Sequence, residues 1–250
     1  RIISYKLFYY YTYFVIGLAL LGLGASSAVV SLSNRVRHVE LPALLRKVAP
    51  IAGVTGVVTY FIVARLPINT NVIWTGSKFE ALGQLARLFV LALSVTAVFF
   101  ALGVALSSLV VVEAHHVRSL YFWDLTGAAL GCLLAVPLQR TVGPPAMILG
   151  AVALFSLLGI VAAFLQGRGH KLAVGLALLV VVGAFVAGSV EIRTDDSKTH
   201  LDGVVASEWG PVFRVDVVDQ GKVQVLLHDG LWGSGIWKYD GTPATTARFA

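Results

Sequence analysis

The sequence predicts a mainly α fold: a polytopic membrane helix bundle of about six spans, followed by a small C-terminal β-hairpin domain. Three observations predict it. Of 250 residues, 57% are hydrophobic and 13% are charged, with a mean hydropathy of +0.83, an apolar excess that a water-soluble core of this size cannot bury. The apolar residues lie in long runs over residues 1–190. From Glu191 the texture changes to residues alternating in character, rich in Val, which is the period of a half-buried strand. The expected division is therefore a transmembrane bundle over 1–190 and an extramembrane β-hairpin region over 191–250.

A hydrocarbon core about 30 Å thick takes about 20 apolar residues at helical rise. Six runs reach or approach that length: 7–30, 48–66, 88–112, 120–138, 146–165 and 172–190. The fourth holds Asp124 near its start and Pro137 near its end, and it is kept as a span because 127–138 is otherwise apolar. Residues 67–87 form the longest polar connection, expected as an extramembrane loop with a short amphipathic helix. The links 113–119, 139–145 and 166–171 are short, so the helices they join should pack as antiparallel neighbours.

Charge is divided as sharply as hydropathy. Residues 1–190 carry thirteen Lys/Arg against four Asp/Glu, whereas 191–250 carry six against nine. The basic residues flank apolar segments, and no basic stripe with interleaved aromatics is present, so nucleic acid is excluded as a partner and the lipid bilayer is expected. Six spans put both ends on one face, with eight Lys/Arg on that face and seven on the other. Charge density in the short loops, from Arg35, Arg37, Arg46 and Lys47 to Arg118, Arg168 and Lys171, favours the second face as cytoplasmic and the tail outside. The side of the tail is left open by so even a count. With Cys132 as the single cysteine, no intrachain disulfide or four-cysteine metal site can form.

Several residues are candidates for chemistry or contact. Asp124, a carboxylate within an apolar run, marks either a proton or ion pathway or an interfacial residue pairing with Arg118. Gly127 and Gly131 form a GxxxG spacing that suits close helix packing, within the chain or between copies. His115 and His116 with Glu113 offer metal-ligand types, but adjacent histidines point apart and further ligands are lacking. Cys132 has no neighbouring cation to activate it. In the tail, Asp219-Gln220-Gly221 and Asp229-Gly230 read as turns. Asp229 either fills its turn or contacts a cationic substrate. Trp209, Phe213, Trp232, Trp237 and Tyr239 exceed what a small hairpin can bury, so Trp232 and Trp237 are expected on a partner, protein or membrane. No phosphate loop and no nucleophile with its base are found, so no catalytic residue is assigned.

Several stretches together resemble the membrane-fused spermidine-synthase-like proteins of bacteria, of the polyamine aminopropyltransferase family. They are Arg1-Ile2-Ile3-Ser4 with the aromatic run to Phe14, Leu18 to Ser26, Phe99 to Leu109, and Tyr121-Phe122-Trp123-Asp124-Leu125-Thr126-Gly127-Ala128-Ala129-Leu130-Gly131-Cys132. Trp209-Gly210-Pro211 with Arg214 to Val218 resembles the start of the family's hairpin domain, and Asp229-Gly230 resembles the Asp-Gly of the soluble enzymes. The glutamines that flank those motifs in the soluble enzymes have no match here. The resemblance implies a bacterial inner-membrane protein whose nucleotide-binding domain would follow the hairpin and transfer an aminopropyl group from decarboxylated S-adenosylmethionine. The chain opens at Arg1 without an initiator methionine and ends at Ala250, about where that domain would begin, so it is expected to be part of a longer product. It would hold no cofactor itself, and its partner would be that domain or another protein subunit. The other readings are a non-enzymatic subunit of a larger membrane complex and, more remotely, a transporter.

Overall fold

The computed structural model describes residues 1–33, 39–167 and 170–238. Arg35, Arg37, Arg168 and Tyr239, invoked above, lie outside the described residues. The elements are α1 (Ile2–Lys6), α2 (Tyr11–Leu32), α3 (Leu41–Arg65), α4 (Val72–Thr75), α5 (Lys78–Val112), a 3-10 turn (Ala114–His116), α6 (Val117–Gln166), α7 (His170–Gly188) and strands β1 (Val204–Trp209), β2 (Arg214–Asp219), β3 (Val223–His228) and β4 (Leu231–Trp237).

Among the described residues, four helices, α2, α3, α5 and α6, are long and apolar enough to cross a membrane, and the apolar stretch of α7, Ala173–Gly188, is shorter. This corrects the expected six separate spans. The fourth and fifth runs lie in one 50-residue helix, broken only at Gly143, where φ is +79° and ψ 157°. The link expected over 139–145 shrinks to that residue because glycine adopts positive φ without strain, while Pro144 and Pro145 fit a first helical turn, whose N–H groups have no partner to lose. Pro137 stays inside the helix. The first span begins at Tyr11, since residues 2–6 form a separate short helix. The third begins ten residues early at Lys78, because Ser77 and Glu80 make a capping box: Ser77 N donates to Glu80 Oε2 at 2.8 Å and Glu80 N to Ser77 Oγ at 3.4 Å.

Close packing in the bundle depends on small residues, since lipid gives apolar faces no drive toward each other. α3 packs against α5, α6 and α7, and α2 packs on α5. A Cβ at Gly22 would stand 2.6 Å from Thr96 O, so α2 meets the α5 backbone directly. Gly159 of α6 receives the ring of Pro50, and Gly56 of α3 receives Val152. The largest core gathers at one end of the bundle, where Tyr5, Leu7, Tyr60, Ala64, Ile68, Leu91, Leu149, Val180 and Ile192 converge. Residues 117–142, the first arm of α6, stand apart: nearly all are exposed.

The strands form an antiparallel meander in the order β1-β2-β3-β4. Gly221 takes φ +77° in the β2–β3 turn, and Gly221 N donates to Asp219 Oδ1 at 2.9 Å. Asp229 (φ 51°) and Gly230 (φ 75°) both take positive φ between β3 and β4, the pattern of a tight primed hairpin turn. Val218, Val225 and Leu227 are the sheet's own core, covered by Leu201 and Val223. β1 is a strand that the alternation did not announce. Its pairing slips between Val204 and Ala206, so side-chain parity is lost within it.

Candidate functional site

The sheet meets the bundle through a cluster of buried polar side chains drawn from distant parts of the chain. Ser4 and Lys6 come from α1, Asp195 and Lys198 from the segment after α7, and Asp229 from the β3–β4 turn. All five are buried, and Lys6 and Asp195 are wholly inaccessible. Burying charge is costly unless every donor and acceptor is used, and here nearly all are.

Lys198 Nζ donates to the carbonyls of Ser4 (2.9 Å), Tyr5 (2.7 Å) and Asp229 (2.7 Å). Its three hydrogens thereby satisfy two orphan carbonyls of α1 and one of the hairpin turn. The Asp229 carboxylate accepts from Ser4 Oγ at 2.7 Å through Oδ2 and from Arg214 N at 2.8 Å through Oδ1. Lys6 reaches the other way, donating to Leu66 O at 2.7 Å and Arg193 O at 2.9 Å. Asp195 accepts from Thr70 N at 2.9 Å and from Ser197 N at 2.9 Å, and its own N–H donates to Lys6 O at 2.6 Å. Charge-assisted bonds of this kind contribute about 1.5–3 kcal/mol each. They join α1, the end of α3 and the sheet into one clasp.

Burial lowers the Lys198 ammonium to about 8, against the opposing pull of Asp229 and Asp195. Burial and the Arg193 guanidinium lower Lys6 to about 8, with Asp195 and Asp196 resisting. Beside the clasp, the Arg214 guanidinium lies 4.6 Å from the Tyr5 ring centre and 5.4 Å from that of Trp209, and pairs with Asp216 at 2.9 Å. Tyr5 and Trp209 pack edge to face at 5.2 Å.

Two clefts flank these contacts. One, of about 220 Å³, lies between Phe8 and Tyr9 on the bundle side and Phe213, Leu231 and Trp232 on the sheet, above Ser4, Lys198 and Asp229. The other, of about 470 Å³, is an apolar trough on the sheet with Trp232 and Trp237 as walls and Val223, Val225 and Gly235 beneath.

Of the residues singled out in the sequence, Asp229 belongs to the clasp, both as a turn residue and as an acceptor for Ser4 Oγ and Arg214 N. Trp232 and Trp237 are exposed on β4. Asp124, Gly127 and Gly131 lie on the first arm of α6, far from the clasp in its contacts; a Cβ at either glycine would meet nothing within 4 Å. His116 Nδ1 lies 3.2 Å from Glu113 Oε2 on the surface. Among the described residues, no three His, Cys, Asp or Glu side chains converge on a metal position. Ser4, Lys6, Asp195 and Lys198 went unread. Lys6, one charge inside the run from Ile2 to Phe14, was the available signal: a cation kept among apolar and aromatic neighbours is there to be buried or to lie at an interface. Chemically the clasp is spent on structure, since Lys198 has no hydrogen left to give and Asp229 faces a serine rather than a nucleophile's base.

Comparison of this chain with protein-family models, with curated proteins and with solved structures finds no match.

Proposed function

We propose that this chain is the membrane-integral portion of a bacterial spermidine-synthase-like protein, a helix bundle that holds a small sheet rigidly at one membrane face and does not catalyse by itself. The clasp carries the reading. A sheet of about 35 residues is marginal alone, and burying two lysines and two aspartates to fix it on a bundle suits a seat for a further domain better than a loose appendage. In this reading the β4 edge and the Trp237 end of the trough receive a nucleotide-binding domain, whose substrate is decarboxylated S-adenosylmethionine. Asp229 is then a positioning residue, holding the hairpin turn in place.

The same reading gives six crossings. The clasp brings residues 4–6 and 193–198 together, so an even number of crossings separates them. Gln166, at the end of α6, lies 3.5 Å from Glu40, just before α3, whereas Gln139 of the first arm donates to Gly210 O beside the sheet at 3.1 Å. Arg193 N, after α7, donates to Ala64 O at the end of α3 at 2.9 Å. These contacts support one crossing for each arm of α6 and one for α7.

A second reading, a non-enzymatic subunit of a larger complex, is favoured by the exposed first arm of α6, which no helix among the described residues covers. Assay of aminopropyl transfer to a diamine separates the two. The product of the whole coding sequence should transfer the group in proteoliposomes, while residues 1–250 alone should not. Inactivity of the whole product, or activity of 1–250 alone, overturns the proposal.

A further inference from the structure

α2 enters the membrane at Tyr11, and the residues around that point form an aromatic ring. Tyr9 is 69% exposed and Tyr13 76%, and Phe8 stacks on Tyr10 at 5.5 Å. Amphipathic rings of this kind collect at the boundary between hydrocarbon and water, one end apolar and the other wet. The sheet faces this ring across the smaller cleft. Leu231 and Trp232, at the start of β4, share the smaller cleft with Phe8 and Tyr9. Their height is not free to vary, because the preceding turn is pinned to α1 by Lys198 and Asp229. Trp232 nevertheless leaves 62% of its surface uncovered.

We propose that the start of β4 is a lipid-contact surface: Leu231 and Trp232 continue the aromatic ring of α2 and lie among the phospholipid headgroups. The inference rests on reading α2 as a membrane span. Lipid, rather than a protein, is the occupant because the patch is continuous with the membrane boundary set by Tyr9 and Tyr13, and because the charges beneath it are already consumed inside the clasp. Trp237 is separate. It pairs with Val223 at the other end of β4, about 16 Å away at strand rise, beside the Asp219–Lys238 ion pair at 2.6 Å, away from the lipid-facing patch.

Nitroxide depth measurements on the full chain test this, in nanodiscs of phosphatidylethanolamine and phosphatidylglycerol with Cys132→Ser as background. Labels go at Tyr9→Cys and Tyr13→Cys as membrane-level standards, at Lys222→Cys as the water standard, and at Leu231→Cys and Trp232→Cys. The expected result is a several-fold loss of collisions with a water-soluble nickel chelate at 231 and 232 relative to 222, matching position 9. A 232 label that behaves like 222 overturns the inference alone, as does one shielded from both nickel and oxygen, the mark of a protein contact. Aqueous readings at 9 and 13 as well overturn the membrane placement of α2 together with it. A second measurement keeps the indole: with the other four tryptophans replaced by phenylalanine, lipids brominated near the headgroup should quench Trp232, and undiminished emission overturns the proposal.

Discussion

The hydroxyl of Ser4 donates to Oδ2 of Asp229 at 2.7 Å, joining the first helix to the last hairpin turn across 225 positions of sequence. The same carboxylate accepts from Arg214 N and offsets the charge of Lys198. Asp229→Ala removes all three roles and leaves at φ 51° a side chain without the local hydrogen bonding that lets Asp and Asn occupy this region. Sheet docking should weaken by about 3 kcal/mol in total. Asp229→Asn tolerates the backbone and keeps one acceptor for Arg214 N, with its amide N–H turned to donate to Ser4 Oγ, so it should lose less, about 1–2 kcal/mol. Amide hydrogen exchange over residues 204–237 of the full chain in nanodiscs reads both, and equal protection in Asp229→Ala and the parent would count against the clasp.

The two buried lysines make docking depend on pH in a definite direction. Lys6 and Lys198 titrate near 8 in the folded chain and near 10.4 when exposed. Between these values the folded state binds fewer protons than the unfolded one, so stability rises with pH across that window. Below pH 8 the full cost of two buried ammonium groups is present, on the order of 3 kcal/mol for each. Exchange protection of the sheet should therefore increase from pH 7.5 to 9.5 after correction for intrinsic rates. Lys6→Met should flatten about half of the rise; a parent chain whose protection falls over this range contradicts the argument.

Glycines in the bundle should divide by what surrounds them. A Cβ at Gly53 would collide with Ser156 Oγ and come within 3.0 Å of Val180, whereas Gly175 has nothing within 4 Å. Gly53→Ala should lower the thermal midpoint in detergent, by about 1–3 kcal/mol of overpacking. Gly175→Ala should hold it or raise it slightly, because alanine is the better helix former by about 1 kcal/mol. A reversed order of midpoints would mean that α3, α6 and α7 do not pack as described.

Hydropathy exposed the bundle because span length is set by bilayer thickness, and alternation exposed β2 and β3 because one face of each is half buried. The glycines of Asp219-Gln220-Gly221 and Asp229-Gly230 announced both turns through their need for positive φ. What stayed hidden is instructive in each case. The break at Gly143 was legible only as a longer link over 139–145, because Gln139, Arg140 and Thr141 read as a polar loop although they continue the helix, and β1 was hidden by its bulge. The clasp was beyond local reading, since Ser4, Lys6, Asp195, Lys198 and Asp229 acquire partners only when opposite ends of the chain meet. Asp229 was visible because its turn is local; its attachment to Ser4 was not.

The joining of α1 to residues 195–229 also orders the protein's biosynthesis. During translation, α1 emerges before residues 195–229, and its last carbonyls stay open to water until that segment has been made. In the proposed six-crossing reading, Lys198 reaches Ser4 and Tyr5 only after every intervening helix has been inserted and an even number of passages has returned the chain to its starting side. A skipped helix would strand the two ends on opposite leaflets, leaving Lys6 and Lys198 solvated and the sheet unseated. In that reading, seating of the sheet would record that insertion has been completed with the correct parity, and an unseated sheet would expose its apolar strands to quality-control proteases.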